Sequence, residues 1–157
     1  MPRPHRIQLA GGFYHVTQRG TNGLAIFFDD DDRRFFLGLL ALTVRRQAWG
    51  LDAYCLMTNH FHLVIGTPQA NISAGMQRLS GIYGQRFNER HQRFGHVFQG
   101  RFGSTMIESD EYLAEARAYV RDNPVRAGLC ARAEDWPWSG GRVLTGHGRG
   151  LTPDRAR

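Results

Sequence analysis

Apolar residues along this chain recur with two periods, one near two residues and one near three and a half, and their alternation predicts the fold. Phe13-Tyr14-His15-Val16-Thr17-Gln18-Arg19 is dense in aromatic and β-branched residues and stops at Gly20, which predicts a strand. Asp29 to Asp32 then put negative charge where a helix N-terminus favours it. Phe35, Phe36, Leu39, Leu40 and Thr43 follow at helical spacing, and Gly50 is expected to end that helix. Two strands come next, Leu51 to Met57 and His60 to Gly66, joined by the short Thr58-Asn59 link of a hairpin. Asn71 is expected to cap a second helix whose apolar stripe is Ile72, Met76, Leu79, Tyr83 and Phe87. Val97 to Ile107 predicts a fourth strand, interrupted by Gly100 and Gly103. Ser109 caps a third helix, expected to end near Asp122 because Pro124 disfavours helical geometry at Asn123. The order β-α-β-β-α-β and then a helix is the α+β, ferredoxin-like split-βαβ pattern. It implies one antiparallel sheet of four to five strands with helices on one face. Residues 1–139 make the expected domain, and the Gly- and Arg-rich stretch 140–157 is expected to be a flexible tail.

Bulk properties narrow the setting. No apolar run reaches the roughly 18 residues a membrane span needs, and no signal-like stretch follows Met1-Pro2-Arg3-Pro4-His5-Arg6. Cys55 and Cys130 lie far apart without metal-like spacing, so buried thiols in a cytoplasmic protein are expected. The net charge is +6, and all 20 basic residues are arginine. Guanidinium groups grip phosphates in a bidentate way and stack on bases. Codon bias explains missing lysines equally well, so the distribution of charge says more. Residues 1–20 hold Arg3, Arg6 and Arg19 without an acid; residues 78–107 hold Arg78, Arg86, Arg90, Arg93 and Arg101 against Glu89 alone. A one-sided basic surface would follow, with Arg3, Arg6, Arg19, Arg78, Arg86 and Arg101 as candidate DNA contacts.

Two constellations carry chemistry. In His60-Phe61-His62, residues two apart on a strand face the same way, so both imidazoles project from one face while Phe61 and Leu63 enter the core. Such a pair can ligate a metal ion, although His-x-His alone also occurs in cupins and other metal folds. Tyr119 and Asn123, four apart on a helix, put a hydroxyl and an amide on one side. Tyr119 could act as a nucleophile while Asn123 lends an oxygen to a hard cation, or Tyr119 could be a core aromatic ahead of a helix stop.

Four segments in register resemble a known family. Tyr14 to Gly20 (YHVTQRG), Met57 to Leu63 (MTNHFHL), Phe98 to Phe102 (FQGRF) and Tyr119 to Leu129 (YVRDNPVRAGL) look like the REP-associated tyrosine transposases, relatives of the small HUH transposases of insertion sequences. The resemblance covers residues 3 to about 139. It implies that His60 and His62 bind a divalent cation, Mg2+ or Mn2+, that Asn123 supplies a further metal contact, and that Tyr119 is the nucleophile. Tyr112, two turns earlier, ranks second for that role. Two positions depart from the family: Gly103 stands where many relatives carry lysine, and Ser139-Gly140 replaces a serine pair.

The implied activity is metal-dependent nicking and strand transfer of single-stranded or hairpin DNA, of the repetitive extragenic palindrome type, through a 5′-phosphotyrosine. The covalent link stores the energy, and no phosphate-binding Gly loop is visible, so no nucleotide cofactor is expected. A monomer or homodimer fits. A catalytically inactive DNA-binding regulator is the alternative. A small-molecule metalloenzyme would need another ligand, and His15, whose expected role is packing or a polar contact to the sheet, is the sole candidate.

Overall fold

The structure, a computed structural model, describes residues 6–141. In chain order it contains β1 (Gly12–Arg19), α1 (Asp30–Gln47), β2 (Gly50–Leu56), β3 (His60–Thr67), α2 (Ile72–His91), β4 (Gly103–Ile107), α3 (Asp110–Arg126) and β5 (Ser139–Gly141). The strands form one sheet in the order β4-β1-β3-β2-β5, with every neighbouring pair antiparallel. This is the expected α+β, split-βαβ arrangement, with β5 added outside β2. No helix among the described residues is long and apolar enough to cross a membrane.

Strand alternation decides what each face meets. Phe61, Leu63 and Ile65 of β3 join Tyr14, Val16, Tyr54 and Leu56 in a large core filled from α1 and α2 by residues such as Phe36, Leu40, Met76 and Tyr83. His60, His62 and Val64 take the other face. There Val64 packs with Ala53, Cys55 and Met57 against Ala116 and Val120 of α3. The helices of the split-βαβ unit therefore share one face, and the third helix covers the other.

A bulge reconciles the two faces within β2. Leu51 pairs with Ile65 and Ala53 with Val64, which leaves Asp52 as the extra residue. Leu51 enters the large core and Ala53 the small one, whereas strict alternation would put both on one side. Asp52 meets Arg117 of α3 in a two-pronged ion pair, with Nη2 at 3.1 Å from Oδ1 and Nε bonded to Oδ2. The bulge thus supplies the carboxylate that ties α3 to the sheet.

Several expected boundaries move. Asn71 precedes α2 but makes no capping bond. Its Oδ1 accepts from the Trp49 indole at 2.8 Å and its amide donates to the Gln47 carbonyl at 2.9 Å, so it binds the α1–β2 turn instead. That turn is made by Ala48 in a left-handed conformation (φ 57), ahead of Gly50. The run from Asp29 to Asp32 does begin a helix, with Asp29 accepting from the Asp32 amide at 3.0 Å. It also binds Arg90 and His91 at the end of α2, so Arg90 is used inside the fold. The fourth strand is only Gly103–Ile107, because Gly100 turns the chain at φ 68. Residues before that turn run past the end of β1, where Gln99 donates to the Arg19 carbonyl at 2.8 Å.

Helix α3 does not stop near Asp122. It starts where expected, with Ser109 Oγ accepting from the Tyr112 amide at 3.0 Å, but continues through Pro124 to Arg126. Pro124 has no N–H for the Val120 carbonyl, yet only Val125 and Arg126 follow it in the helix, so one bond is lost in the last turn. Gly128 (φ 75) and Leu129 close the end, donating to Val125 and Pro124 carbonyls at 3.0 and 2.9 Å. The sheet also reaches past the expected domain limit of 139, since Gly140 and Gly141 pair with Tyr54 and Ala53. The rest of the expected tail, residues 142–157, lies outside the described residues, as does Arg3.

Candidate active site

The central strand, the first strand and α3 bring a compact group together on one sheet face. β3 presents His60 and His62 with ring centroids 5.0 Å apart. β1 pairs Thr17 with His62 and Arg19 with His60, so by alternation His15, Thr17 and Arg19 lie on the same face. His15 Nε2 sits 3.0 Å from His62 Nδ1. From α3, Asn123 reaches His62 with Nδ2 2.9 Å from Nε2, and the Tyr119 ring lies 5.8 Å from His62 and 5.7 Å from His15. Val120 and Ala116 bury the helix, which leaves Tyr119 on its rim, 49% exposed.

The two candidate tyrosines are told apart by burial. Tyr112 is half-buried and packs on the small core of α3, Val64 and Cys55. Tyr119 packs edge-on to His15 and His62 and is capped by Arg126, whose guanidinium lies 4.1 Å over its ring and donates to its carbonyl at 2.6 Å.

Electrostatics leave the imidazoles neutral. Burial first, and then repulsion from the neighbouring imidazoles whenever they take up a proton and from Arg126 and Arg19, pushes His62 down to about 3. Burial followed by Arg19 lowers His60, and burial lowers His15. Neutral rings have lone pairs to offer, which is the first requirement of a cation site. Among the described residues, no three His, Cys, Asp or Glu side chains are arranged to hold a metal ion. A cation here would instead use two imidazoles and the Asn123 amide. That amide is buried at 9% exposure with Nδ2 at 2.9 Å from His62 Nε2, so the donor set fits a divalent ion in chemical type, with the amide oxygen to be turned toward it. The buried Cys55 thiol, pushed up to about 12 by burial, is no competitor as ligand or nucleophile.

The arginines divide. Arg19 is exposed on the imidazole face. Arg78 and Arg86 are exposed on α2, across the sheet from His60 and His62, and Arg86 lies over Phe35. Arg6 donates to Ser104 Oγ at 3.0 Å and to the Phe102 carbonyl at 2.6 Å while stacking on the Phe102 ring. Arg101 is exposed just past the Gly100 turn. One basic sheet face does not gather all of them.

Two members of the group were not singled out by the sequence. Arg126 lies seven residues after Tyr119, a two-turn spacing that points at it once the helix is known to pass Pro124. Asn59 abuts His60 in the hairpin turn, where adjacency was the only signal.

Comparison with known proteins places the fold and the family. A family profile described as "Transposase IS200 like" matches residues 12–123. A Haemophilus influenzae protein described as a REP-associated tyrosine transposase is 28% identical over 98 residues, which cover 55% of this chain and 56% of the relative. The chain thus spans about half the length of that curated relative. Among solved structures, a REP-associated tyrosine transposase bound to a REP hairpin superposes with a TM-score of 0.75 at 18% identity, over 88% of this chain and 82% of the other. A Deinococcus radiodurans protein described as a transposase gives a TM-score of 0.51 at 18% identity, over 78% and 95%.

Proposed function

The chain belongs to the IS200-like transposase family, and from that premise we propose that it is a metal-dependent endonuclease and strand transferase acting on single-stranded, hairpin-bearing DNA through a phosphotyrosine. The observation that carries this reading is the half-exposed Tyr119 ring, 5.8 Å from His62, on a helix whose next turn puts Asn123 on the same imidazole. Hairpin DNA as substrate is supported by the similar structure that holds a REP hairpin.

Each residue has a distinct task. His60, His62 and Asn123 would hold the divalent cation, Mg2+ or Mn2+. When bound, such an ion neutralises charge on the scissile phosphate and orients it. Tyr119 Oη attacks phosphorus, forming the phenolic ester as the bond to the 3′ oxygen breaks. The phenol's proton passes to solvent, and the departing oxygen takes one up to become a free 3′-hydroxyl. Attack by another 3′-hydroxyl reverses the step and joins strands. Arg126 restrains the attacking ring, and Val120 and Ala116 anchor the helix that carries it. The exposed Arg19 stands on the same face to meet the DNA backbone.

The test is a denaturing gel with labelled single-stranded hairpin DNA and Mn2+, followed by peptide mapping. Tyr119→Phe keeps the ring and should bind DNA but form neither adduct nor cleaved product. Tyr112→Phe should do both. An adduct mapped to Tyr112 would move the nucleophile, and cleavage by Tyr119→Phe without an adduct would mean that water does the cutting.

A further inference from the structure

We propose that Asn59 and His15 are positioning residues that lock His60 and His62 in one tautomer, with hydrogen on Nδ1 and the lone pair on Nε2, where a ligand would take it up; at His62 that lone pair accepts from the Asn123 amide, which a ligand would displace. The use of those lone pairs rests on the cation reading above; the tautomers follow from the contacts alone.

His60 is fixed by the orientation of one amide. Its Nδ1 lies 2.7 Å from Asn59 Oδ1. Asn59 cannot be turned over, because its Nδ2 donates to the Gly23 carbonyl at 3.2 Å and a carbonyl only accepts. Oδ1 therefore faces the imidazole, and His60 Nδ1 must be the donor. Asn59 is itself held. Its carbonyl accepts from the Gly20 amide at 2.8 Å, and the preceding Thr58 carbonyl accepts from Ile26 and Phe27 at 3.0 and 3.3 Å. The Met57 carbonyl accepts from Arg33 at 2.9 Å. The hairpin turn is thus a rigid mount for the amide.

His62 is fixed from both sides. Asn123 Nδ2 donates to Nε2 at 2.9 Å, which makes that nitrogen the acceptor. In a neutral ring the hydrogen is then on Nδ1, where His15 Nε2 accepts it at 3.0 Å. Strand pairing sets this contact, since His15 lies opposite Val64 and Thr17 opposite His62. His15 touches the far nitrogen of His62, and the three imidazoles do not converge as a ligand cage among the described residues. Two contacts from separate elements therefore select the same form. The opposite tautomer would aim a hydrogen, not a lone pair, at the site. Partners that hold the far nitrogen of a ligating histidine typically change metal affinity by about 10–100-fold.

The experiment is long-range 1H–15N correlation on metal-free, full-length protein with labelled histidine near pH 7.5, paired with Mn2+ titration followed by electron paramagnetic resonance. Both His60 and His62 should show the Nδ1–H pattern. Asn59→Ala should mix the forms at His60 and His15→Phe at His62, each weakening Mn2+ binding about tenfold or more. Asn59→Asp and His15→Gln, which keep an accepting oxygen, should restore the tautomer. An Nε2–H pattern at either histidine of the unaltered protein would overturn the proposal, and that spectrum decides even where a variant fails to fold. Folded Ala and Phe variants with unchanged tautomers and Mn2+ affinity would overturn it too. No DNA is present, so its failure is separate from that of the phosphotyrosine reading, which Tyr119→Phe decides alone.

Discussion

Acidifying the protein should expose the cost of keeping His62 neutral. The ring is 6% exposed, and its pKa is held at about 3 against an ordinary 6.5. A depressed folded value means the unfolded chain binds the proton first, so stability is full above 6.5 and falls as the pH drops toward 3. At about pH 5 the unfolded imidazole is almost fully charged and the folded one almost fully neutral. The gap is roughly 1.5 pH units, and at about 1.4 kcal/mol per unit it amounts to about 2 kcal/mol. His60 and His15 are shifted in the same direction and add to the loss in the unaltered protein. Comparison with His62→Gln isolates one ring. Urea unfolding followed by tryptophan fluorescence at pH 8 and pH 5, with a chelator present, should show the unaltered protein losing about 2 kcal/mol more than the variant. Parallel losses in the two proteins would refute the assignment of a buried, neutral imidazole, and with it the claim that the site keeps its lone pairs ready.

Three further outcomes are expected. Arg126→Ala should slow single-turnover cleavage about two- to fivefold without changing hairpin affinity, since the contact over Tyr119 is worth about 0.5–1 kcal/mol; an equal fall in affinity would make Arg126 a phosphate contact instead. Hairpin affinity should fall with salt, and Arg19→Ala should flatten the slope by about 0.7–0.9 while Arg78→Ala and Arg86→Ala leave it unchanged; the reverse pattern would put the DNA on α2. Gly75→Ala would bring a Cβ within 2.1 Å of Trp49 Cζ2, and urea unfolding should register a loss of about 1–3 kcal/mol; an undiminished midpoint would show that Trp49 can move aside.

Local periodicity was enough for most of the frame. Alternation in β1 and β3 sorted Phe61 and Leu63 from His60 and His62, and helical spacing put Tyr119 and Asn123 side by side. What escaped was decided by contacts between distant segments. Asn71 looks like a cap in sequence, but Trp49 and Gln47 compete for its side chain. Pro124 reads as a stop because the rule weighs its missing N–H and not how little helix follows. The extra residue at Asp52 has no signature within β2, since its partner Arg117 lies on another element. The basic stretches looked like one surface because sequence order does not say which sheet face α2 covers. Asn59 was invisible as a positioning group, because its orientation depends on a carbonyl in the 20–27 loop.

The unequal cover of the two sheet faces has a dynamic consequence. α1 and α2 bury Phe36, Leu40, Met76, Leu79, Tyr83 and Phe87, whereas α3 buries only Ala116, Val120, Asn123 and Pro124. Apolar area sets most of the cost of detaching an element, so α3 is the layer that lifts at lowest free energy while the sheet beneath it stays folded. Backbone amides of α3 should therefore exchange with deuterated solvent well before those of β1 and β3; simultaneous exchange would mean the molecule opens only as a whole. A tyrosine mounted on such a layer can withdraw and return while the histidines stay on the central strand.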